Sequence, residues 1–138
     1  MPSLEVNGQT YLIEPGADLA GANLAGANLA GANLARANLA GAILTNAYLR
    51  GTDLTNADLT EADLRSADFT GADLDGADFT DTILTNIKSG NVQGFPKTGT
   101  LRSDFHLING FIIGPHASLN DADLSGLDFS GLNMNYMY

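Results

Sequence analysis

A leucine recurs at every fifth position through "GANLAGANLAGANLA", residues 21–35. An α-helix turns about 100° per residue, so leucines five residues apart fall about 140° apart around it and form no apolar face. A straight β-strand alternates with a period of two, so an odd period sends successive leucines to opposite sides. Collagen is excluded because it needs glycine at every third position. The chain must therefore turn once per repeat and bring each leucine back to a shared interior.

The repeat runs through fourteen successive units. Alanine stands two residues before each central residue, except at Thr52 and Thr82, and the residue between them is mostly Asn or Asp. Because alternate residues of an extended segment face opposite ways, each triplet predicts an inward, an outward and an inward side chain. The central residues are Leu19, Leu24, Leu29, Leu34, Leu39, Leu44, Leu49, Leu54, Leu59, Leu64, Phe69, Leu74, Phe79 and Leu84.

The two residues that follow each triplet form a corner. The second corner position is mostly Gly or Asn, which adopt a positive φ at the lowest cost. Arg36, Glu61, Ser66 and Asp81 occupy the same position, so this requirement is soft. Three extended residues span about 10 Å, and four such sides enclose room for converging leucines. A triangle would crowd them and a pentagon would leave a void, so the geometry favours four sides without requiring them.

The tandem pattern A(D/N)LXX resembles the pentapeptide-repeat family. It covers residues 17–86 and, more loosely, residues 117–134. The resemblance implies an all-β fold, a right-handed, four-sided parallel β-helix with four repeats per coil. It implies little about function, because one fold hosts several roles.

Composition limits the remaining classes. At 138 residues we expect a single domain, and the absence of cysteine excludes disulfides, thiolate metal sites and cysteine nucleophiles. The apolar runs are too short to span a bilayer. The opening "MPSLEVNGQTYLIEPG" lacks a basic segment followed by an apolar one, so we expect a cytoplasmic protein. A net charge of −10 argues against direct binding to nucleic acid or to an anionic membrane.

Two segments, residues 6–19 and 108–119, share an Asn-Gly pair, an aromatic-aliphatic triplet and a proline. Asn-Gly between apolar runs predicts a β-hairpin, so each segment is interpreted as a hairpin that precedes a repeat array. Between the arrays, residues 88–104 lose the repeat and gain glycine and proline, which predicts a loop. The predicted divisions are an N-terminal cap over residues 1–14, the main coils over 15–87, a loop and hairpin insertion over 88–116, and a last coil with its tail over 117–138.

The second array has its central residues at Leu119, Leu124, Phe129 and Met134. One coil does not stand alone, since solenoids need about three repeats. It must stack either on its own chain or on a second copy, which leaves a monomer or a homodimer through the C-terminal coil. Stacking on its own chain is favoured, because covalent proximity lowers the closure cost.

With four repeats per coil, outward residues twenty apart fall into four columns. From Asp53 onward the outward residue is Asp in every repeat until Ile83. Ile43 and Ile83 flank Asp63 in one column and form an apolar stripe, either a contact surface or the floor under the 88–104 loop. Packing under the loop is the favoured interpretation, because Ile83 adjoins it in sequence. The candidate interaction surface comprises Asp53, Asp58, Asp63, Asp68, Asp73, Asp78, Ile43 and Ile83.

Two functions compete for this surface. The first is a non-catalytic scaffold that binds a protein whose identity the sequence does not specify. The second, implied by the resemblance, is an acidic mimic of duplex DNA that acts on DNA gyrase or another DNA-binding protein. The arrays make about four and a half coils, a rod of about 22 Å, whereas one turn of duplex is about 34 Å. The scaffold is therefore favoured.

Catalysis and cofactor binding find no support in the pattern. His106 and His116 are the only histidines, and neither lies beside a recognisable nucleophile motif. "PKTGT" (96–100) has the ingredients of a phosphate loop in the wrong order. The carboxylate-dense "DLDGADFTD" (73–81) departs from calcium-loop spacing. We therefore predict no catalytic residue, no cofactor and no metal site.

Overall fold

The computed structural model describes residues 2–120 and 122–132. Its extended strands form two hairpins, with the strands β1 (Ser3–Val6), β2 (Gln9–Leu12), β3 (His106–Ile108) and β4 (Phe111–Ile113). The predicted central residue Met134 and the tail after it lie outside the described residues. Within the described ranges, no helix is long and apolar enough to cross a membrane.

Parallel β-bridges between residues twenty apart hold the main repeats together. Asp53 shows the pattern: its N–H donates to Ala32 O at 2.9 Å, and its carbonyl accepts from Leu34 N at 2.8 Å. The chain therefore returns beside itself after four five-residue repeats. The bridges define a first column (Asp18, Asn38, Asp58, Asp78), a second (Asn23, Ile43, Asp63, Ile83), a third (Asn28, Tyr48, Asp68, Lys88, Ser118) and a fourth (Asn33, Asp53, Asp73, Gln93).

The interior of the stack is filled by the alanine and leucine positions of the repeat. Central residues such as Leu44 and Leu54 are fully buried, and the rings of Phe69 and Phe79 lie 6.1 Å apart. Thr52 replaces an inward alanine, and its hydroxyl donates to Leu29 O at 2.8 Å, which satisfies the buried oxygen. The inward, outward, inward pattern of the triplets is therefore present.

The second corner position has a positive φ whether or not it holds glycine. Arg36 and Glu61 have φ values of 61° and 59°. Their N–H groups donate to Thr55 O and Thr80 O of the next coil, each at 2.8 Å. These hydrogen bonds offset the cost, about 1–2 kcal/mol, of a left-handed conformation in a residue with a side chain.

The hairpin β1–β2 lies against the first repeats. Asn7 and Gly8 form its turn with φ values of 51° and 77°, which match the twist of the strands. Val6 and Ile13 are buried in the common core. Tyr11 Oη accepts a hydrogen bond from Asn23 N at 3.3 Å.

The ladder continues past Lys88, so the predicted loop over residues 88–104 is wrong for its first part, residues 88–97. Lys88 and Gln93 bridge Asp68 and Asp73, and Lys97 N donates to Ala77 O at 2.8 Å. Leucine is absent from this stretch, but the backbone groups of the preceding coil still need partners, and this segment supplies them.

The hairpin β3–β4 closes over the end of this ladder. Its turn residues Asn109 and Gly110 have positive φ, and Gly110 O accepts from Val92 N at 3.0 Å. Ile112 is fully buried, and its N–H donates to Ser89 Oγ at 2.8 Å. The insertion therefore supplies apolar side chains where the repeat leucines stop.

The last array begins on its own chain, as the sequence analysis favoured. Ser118 bridges Lys88, and Ser118 N donates to Ile87 O at 2.8 Å. Beyond this point, within residues 119–120 and 122–132, the predicted central residues Leu124 and Phe129 are only half-buried.

Replacing Leu54 with alanine tests the inward assignment. Leu54 is fully buried, so Leu54→Ala should lower the free energy of unfolding by about 2–5 kcal/mol, through lost transfer energy and a residual cavity. Urea denaturation followed by circular dichroism measures this. Ile43→Ala is the control, because Ile43 is outward and should cost less than about 1 kcal/mol. Equal costs for the two changes would contradict the assignment.

Candidate interaction surface

The outward Asp or Asn of each repeat closes the corner that follows it. Its Oδ1 accepts a hydrogen bond from the backbone N–H two residues on, an arrangement that fixes the turn. Asn33 accepts from Ala35 N at 3.1 Å, and Asp53 accepts from Thr55 N at 2.9 Å. The outward residues that make this contact are Asp18, Asn23, Asn28, Asn33, Asn38, Asp53, Asp58, Asp63, Asp68, Asp73 and Asp78 in the main repeats, and Asp123 and Asp128 in the last array.

This contact explains an oxygen acceptor at the outward position but not a charge. Asn28 and Asn33 close their corners as Asp53 does. Negative charge in the later coils has a cost, because Asp53 lies directly beside Asp73, and Asp58 beside Asp78. Like charges opposite one another across neighbouring strands are destabilising. The run of aspartates therefore exceeds what the fold requires.

Threonine hydroxyls donate a second hydrogen bond to several of these carboxylates. Thr70 and Thr80 donate through Oγ1 to Asp68 and Asp78, each at 2.6 Å. The Thr80 hydroxyl and N–H hold the pKa of Asp78 below its usual value, with a smaller contribution from the charge of Lys97. The Thr55 hydroxyl and N–H lower the pKa of Asp53 in the same way. Both carboxyl groups are therefore ionised at neutral pH.

Cations neutralise some columns more than others. In the second column, Arg65 Nη2 lies 2.5 Å from Asp63 Oδ2, and this contact lowers the pKa of Asp63. In the third column, Arg50 Nη1 lies 3.7 Å from Asp68 Oδ2. Among the described residues, no basic side chain lies within 4.0 Å of the carboxylates of Asp53, Asp58 and Asp73. Lys97 Nζ lies 3.7 Å from Asp78 in the first column, so uncompensated negative charge concentrates on the other carboxylates of the first and fourth columns.

The two isoleucines lie where the columns predict, on either side of Asp63. Ile43 and Ile83 are 40% and 43% exposed. The interpretation that Ile83 packs under the 88–104 segment is therefore wrong. That segment continues the ladder in the third and fourth columns, and the second column stays open.

Phe95 is a surface residue that the sequence analysis missed. It lies at the corner between the fourth and first columns, and its side chain is 72% exposed. A cleft of about 510 Å³, lined by Asp58, Gly76, Asp78 and Lys97 among others, adjoins its backbone, because Gly76 N donates to the Phe95 carbonyl at 2.8 Å. A solitary phenylalanine in a segment interpreted as a loop gave no periodic signal. The five-residue spacing from Asp75, continued past residue 88, would have placed it on this corner.

The described residues form no cluster of three or more His, Cys, Asp or Glu side chains suited to a metal ion. His106 lies exposed on β3. The His116 carbonyl accepts a hydrogen bond from Asn86 N at 2.5 Å.

Comparison with known proteins identifies the repeat. The model of the family described as pentapeptide repeats matches eight copies, over residues 17–56 and 47–86. This match confirms the resemblance seen in the sequence. No curated protein sequence matches the chain.

Several solved structures are similar to part of the chain. A pentapeptide repeat protein from the thylakoid lumen of Arabidopsis thaliana is 33% identical over 56% of this chain and 57% of its own, with a TM-score of 0.47. HetL from the cyanobacterium Nostoc, a pentapeptide repeat protein involved in heterocyst differentiation regulation, is 34% identical over 58% of this chain and 39% of its own, with a TM-score of 0.33. A third pentapeptide repeat protein, also from Nostoc, is 35% identical over 62% of this chain and 76% of its own, with a TM-score of 0.30. The chain therefore spans less than two thirds of the length of the first two.

Two substitutions at Asp53 separate the acceptor from the charge. Asp53→Asn keeps an oxygen for Thr55 N and removes repulsion with Asp73, so the free energy of unfolding should change by less than about 0.5 kcal/mol. Asp53→Ala leaves the corner N–H without its acceptor and should cost about 1 kcal/mol. Urea denaturation at neutral pH measures both. Equal stability of the two variants would show that the corner contact is unimportant.

The pH dependence of the free energy of unfolding supplies the control for the two Asp53 substitutions. Because the folded pKa of Asp53 is lowered, its charged form stabilises the fold above the unfolded pKa of about 3.9, and this contribution is lost as the pH falls through the folded value. The difference in free energy of unfolding between the wild type and Asp53→Ala should therefore narrow below about pH 4. A gap that widens on acidification would contradict this.

Proposed function

Because this chain belongs to the pentapeptide-repeat family, we propose that it works as a non-catalytic scaffold that binds a protein partner. The scaffold is a right-handed, four-sided β-helix, and the hairpin β1–β2 caps its first coil. The buried Val6 and Ile13 support the cap, because they cover apolar side chains at the start of the stack. The twenty-residue spacing of the bridges supports four sides of one repeat each.

The observation that carries the proposal is the run of six successive outward aspartates. Asparagine closes the same corner, so the corner contact does not account for the negative charge of this run. We assign the run Asp53, Asp58, Asp63, Asp68, Asp73 and Asp78 as the interaction surface, with the exposed Ile43 and Ile83 as its apolar margin.

Charge determines the chemistry of the partner. A surface with unpaired carboxylates on two adjacent columns attracts a basic protein segment and repels nucleic acid and anionic membranes. The scaffold acts in the cytoplasm as a monomer or as a homodimer through its C-terminal coil. The half-buried Leu124 and Phe129 support the dimer, because a second copy would cover them.

An isosteric variant tests the surface. Changing Asp53, Asp58, Asp73 and Asp78 to Asn keeps the corner oxygens and removes the charges that concentrate on two columns. Affinity capture from cell lysate should then lose the partners that the wild type retains. The control changes Glu5, Glu14 and Glu61 to Gln and Asp81 to Asn, which removes the same number of charges outside the columns. Capture of the same proteins by both variants would overturn the assignment.

The DNA-mimic alternative rests on the same aspartates and is tested separately. The ladder makes four turns of chain, about 19 Å, short of one duplex turn of about 34 Å. We expect micromolar protein neither to inhibit nor to protect DNA gyrase in a supercoiling assay. Inhibition that the Asn variant loses would replace the scaffold with the mimic.

A further inference from the structure

Phe95 is the most exposed of the large apolar residues in the described parts of the chain. The other exposed apolar residues, such as Ile43 and Tyr48, keep part of their side chain against the stack. A phenylalanine that is 72% exposed forgoes most of the stabilisation that burial of its ring would give. A chain that keeps such a ring in water gives up stability at that position.

The backbone holds Phe95 in a fixed place. Its carbonyl accepts from Gly76 N at 2.8 Å, and its N–H points to Asp75 Oδ1 at 3.4 Å. Gly94 has φ 67°, and a Cβ there would lie 2.5 Å from the Cβ of Asp75. Only glycine lets the chain pack this closely on the coil below. The ring is therefore presented outward from a braced corner and not from a free loop.

Carboxylates lie close to the backbone that carries this ring. The Phe95 N–H points to Asp75 Oδ1, and Gly76, whose N–H donates to the Phe95 carbonyl, lines the cleft that contains Asp58 and Asp78. Lys97 closes one side, 3.7 Å from Asp78 and with its side chain 64% exposed. Such an exposed ion pair contributes little to stability, and its lysine is readily exchanged for another cation.

We propose that Phe95 and the adjoining cleft are a docking site for an arginine-containing segment of a protein partner. The inference rests on the proposed scaffold function and names its binding site. An arginine guanidinium stacks on an aromatic ring and also forms paired hydrogen bonds with a carboxylate. Phe95 supplies the first contact, and Asp58 and Asp78 supply the second. The carboxylates alone would be solvated surface charge; the braced ring gives the site its position and its preference for arginine over lysine.

Charge excludes a second copy as the occupant. The net charge is −10, and this corner adds Asp73 and Asp75 to the cleft carboxylates. Two such corners would repel one another, because like charges brought together in an interface are strongly unfavourable. A basic segment is the complementary occupant.

Fluorescence anisotropy tests the site with a labelled peptide of alternating glycine and arginine, and with its lysine counterpart, near physiological ionic strength. Phe95→Ala should weaken the affinity for the arginine peptide roughly two- to fivefold, as expected for an exposed ring–cation contact. It should also abolish the preference for the arginine peptide over the lysine peptide. Tyr48→Ala, which removes an exposed ring from a different part of the surface, should change the affinity for neither peptide. Circular dichroism should show both variants folded, because neither ring is buried.

The Asn variant at Asp53, Asp58, Asp73 and Asp78 separates this inference from the function on which it rests. Weaker binding of both peptides by that variant, with no effect of Phe95→Ala, overturns the docking site and leaves the acidic scaffold standing. Unchanged binding by the Asn variant overturns the acidic scaffold itself. Equal losses in Phe95→Ala and Tyr48→Ala would show nonspecific adsorption and also overturn the site.

Discussion

Each coil of this protein is held by hydrogen bonds to the coils before and after it. Asp53 N donates backward to Ala32 O, and Leu34 N donates forward to Asp53 O. Because the bonds lie between backbone groups, they do not depend on the side chain at either position. The leucines fill the interior that this ladder encloses, and the corners must take whatever φ lets the chain meet its neighbour. Arg36 and Glu61 adopt a left-handed conformation for that reason.

The same ladder explains what could be predicted from the sequence and what could not. A leucine at every fifth position indicates which side chains are buried, so the columns, the corners and the core could be predicted from it. Ser89 and Gly94 stand where the five-residue spacing would place leucine, yet their segment still pairs with the preceding coil. Side-chain patterning cannot detect a ladder that backbone groups alone continue. Phe95 was missed for this reason, whereas Asn-Gly revealed both hairpins because a turn has its own local chemistry.

Asparagine and aspartate are equivalent to the fold at the outward position, and this equivalence leaves the surface free to vary in charge. Asn33 and Asp53 accept the same corner N–H, yet only Asp53 contributes charge. Neighbouring coils can therefore differ in electrostatic potential without a change in backbone. Arg65 and Arg50 cancel part of the charge in the second and third columns, and Lys97 pairs with Asp78 in the first, whereas Asp53, Asp58 and Asp73 have no such partner. The distribution of charge is thus the property that separates one part of this regular surface from another.

Regularity also limits what a partner can recognise. Carboxylates within a column repeat at the coil spacing of about 4.8 Å, whereas side chains on one face of an extended peptide repeat at about 6.6 Å. A basic peptide that runs along the column falls out of register after one or two contacts, so charge alone gives attraction without position. A single braced ring such as Phe95 breaks the repetition, because it gives the partner one place to start. Geometry of this kind requires the anchor to lie where the regular pattern ends, and the corner beyond Asp75 is such a place.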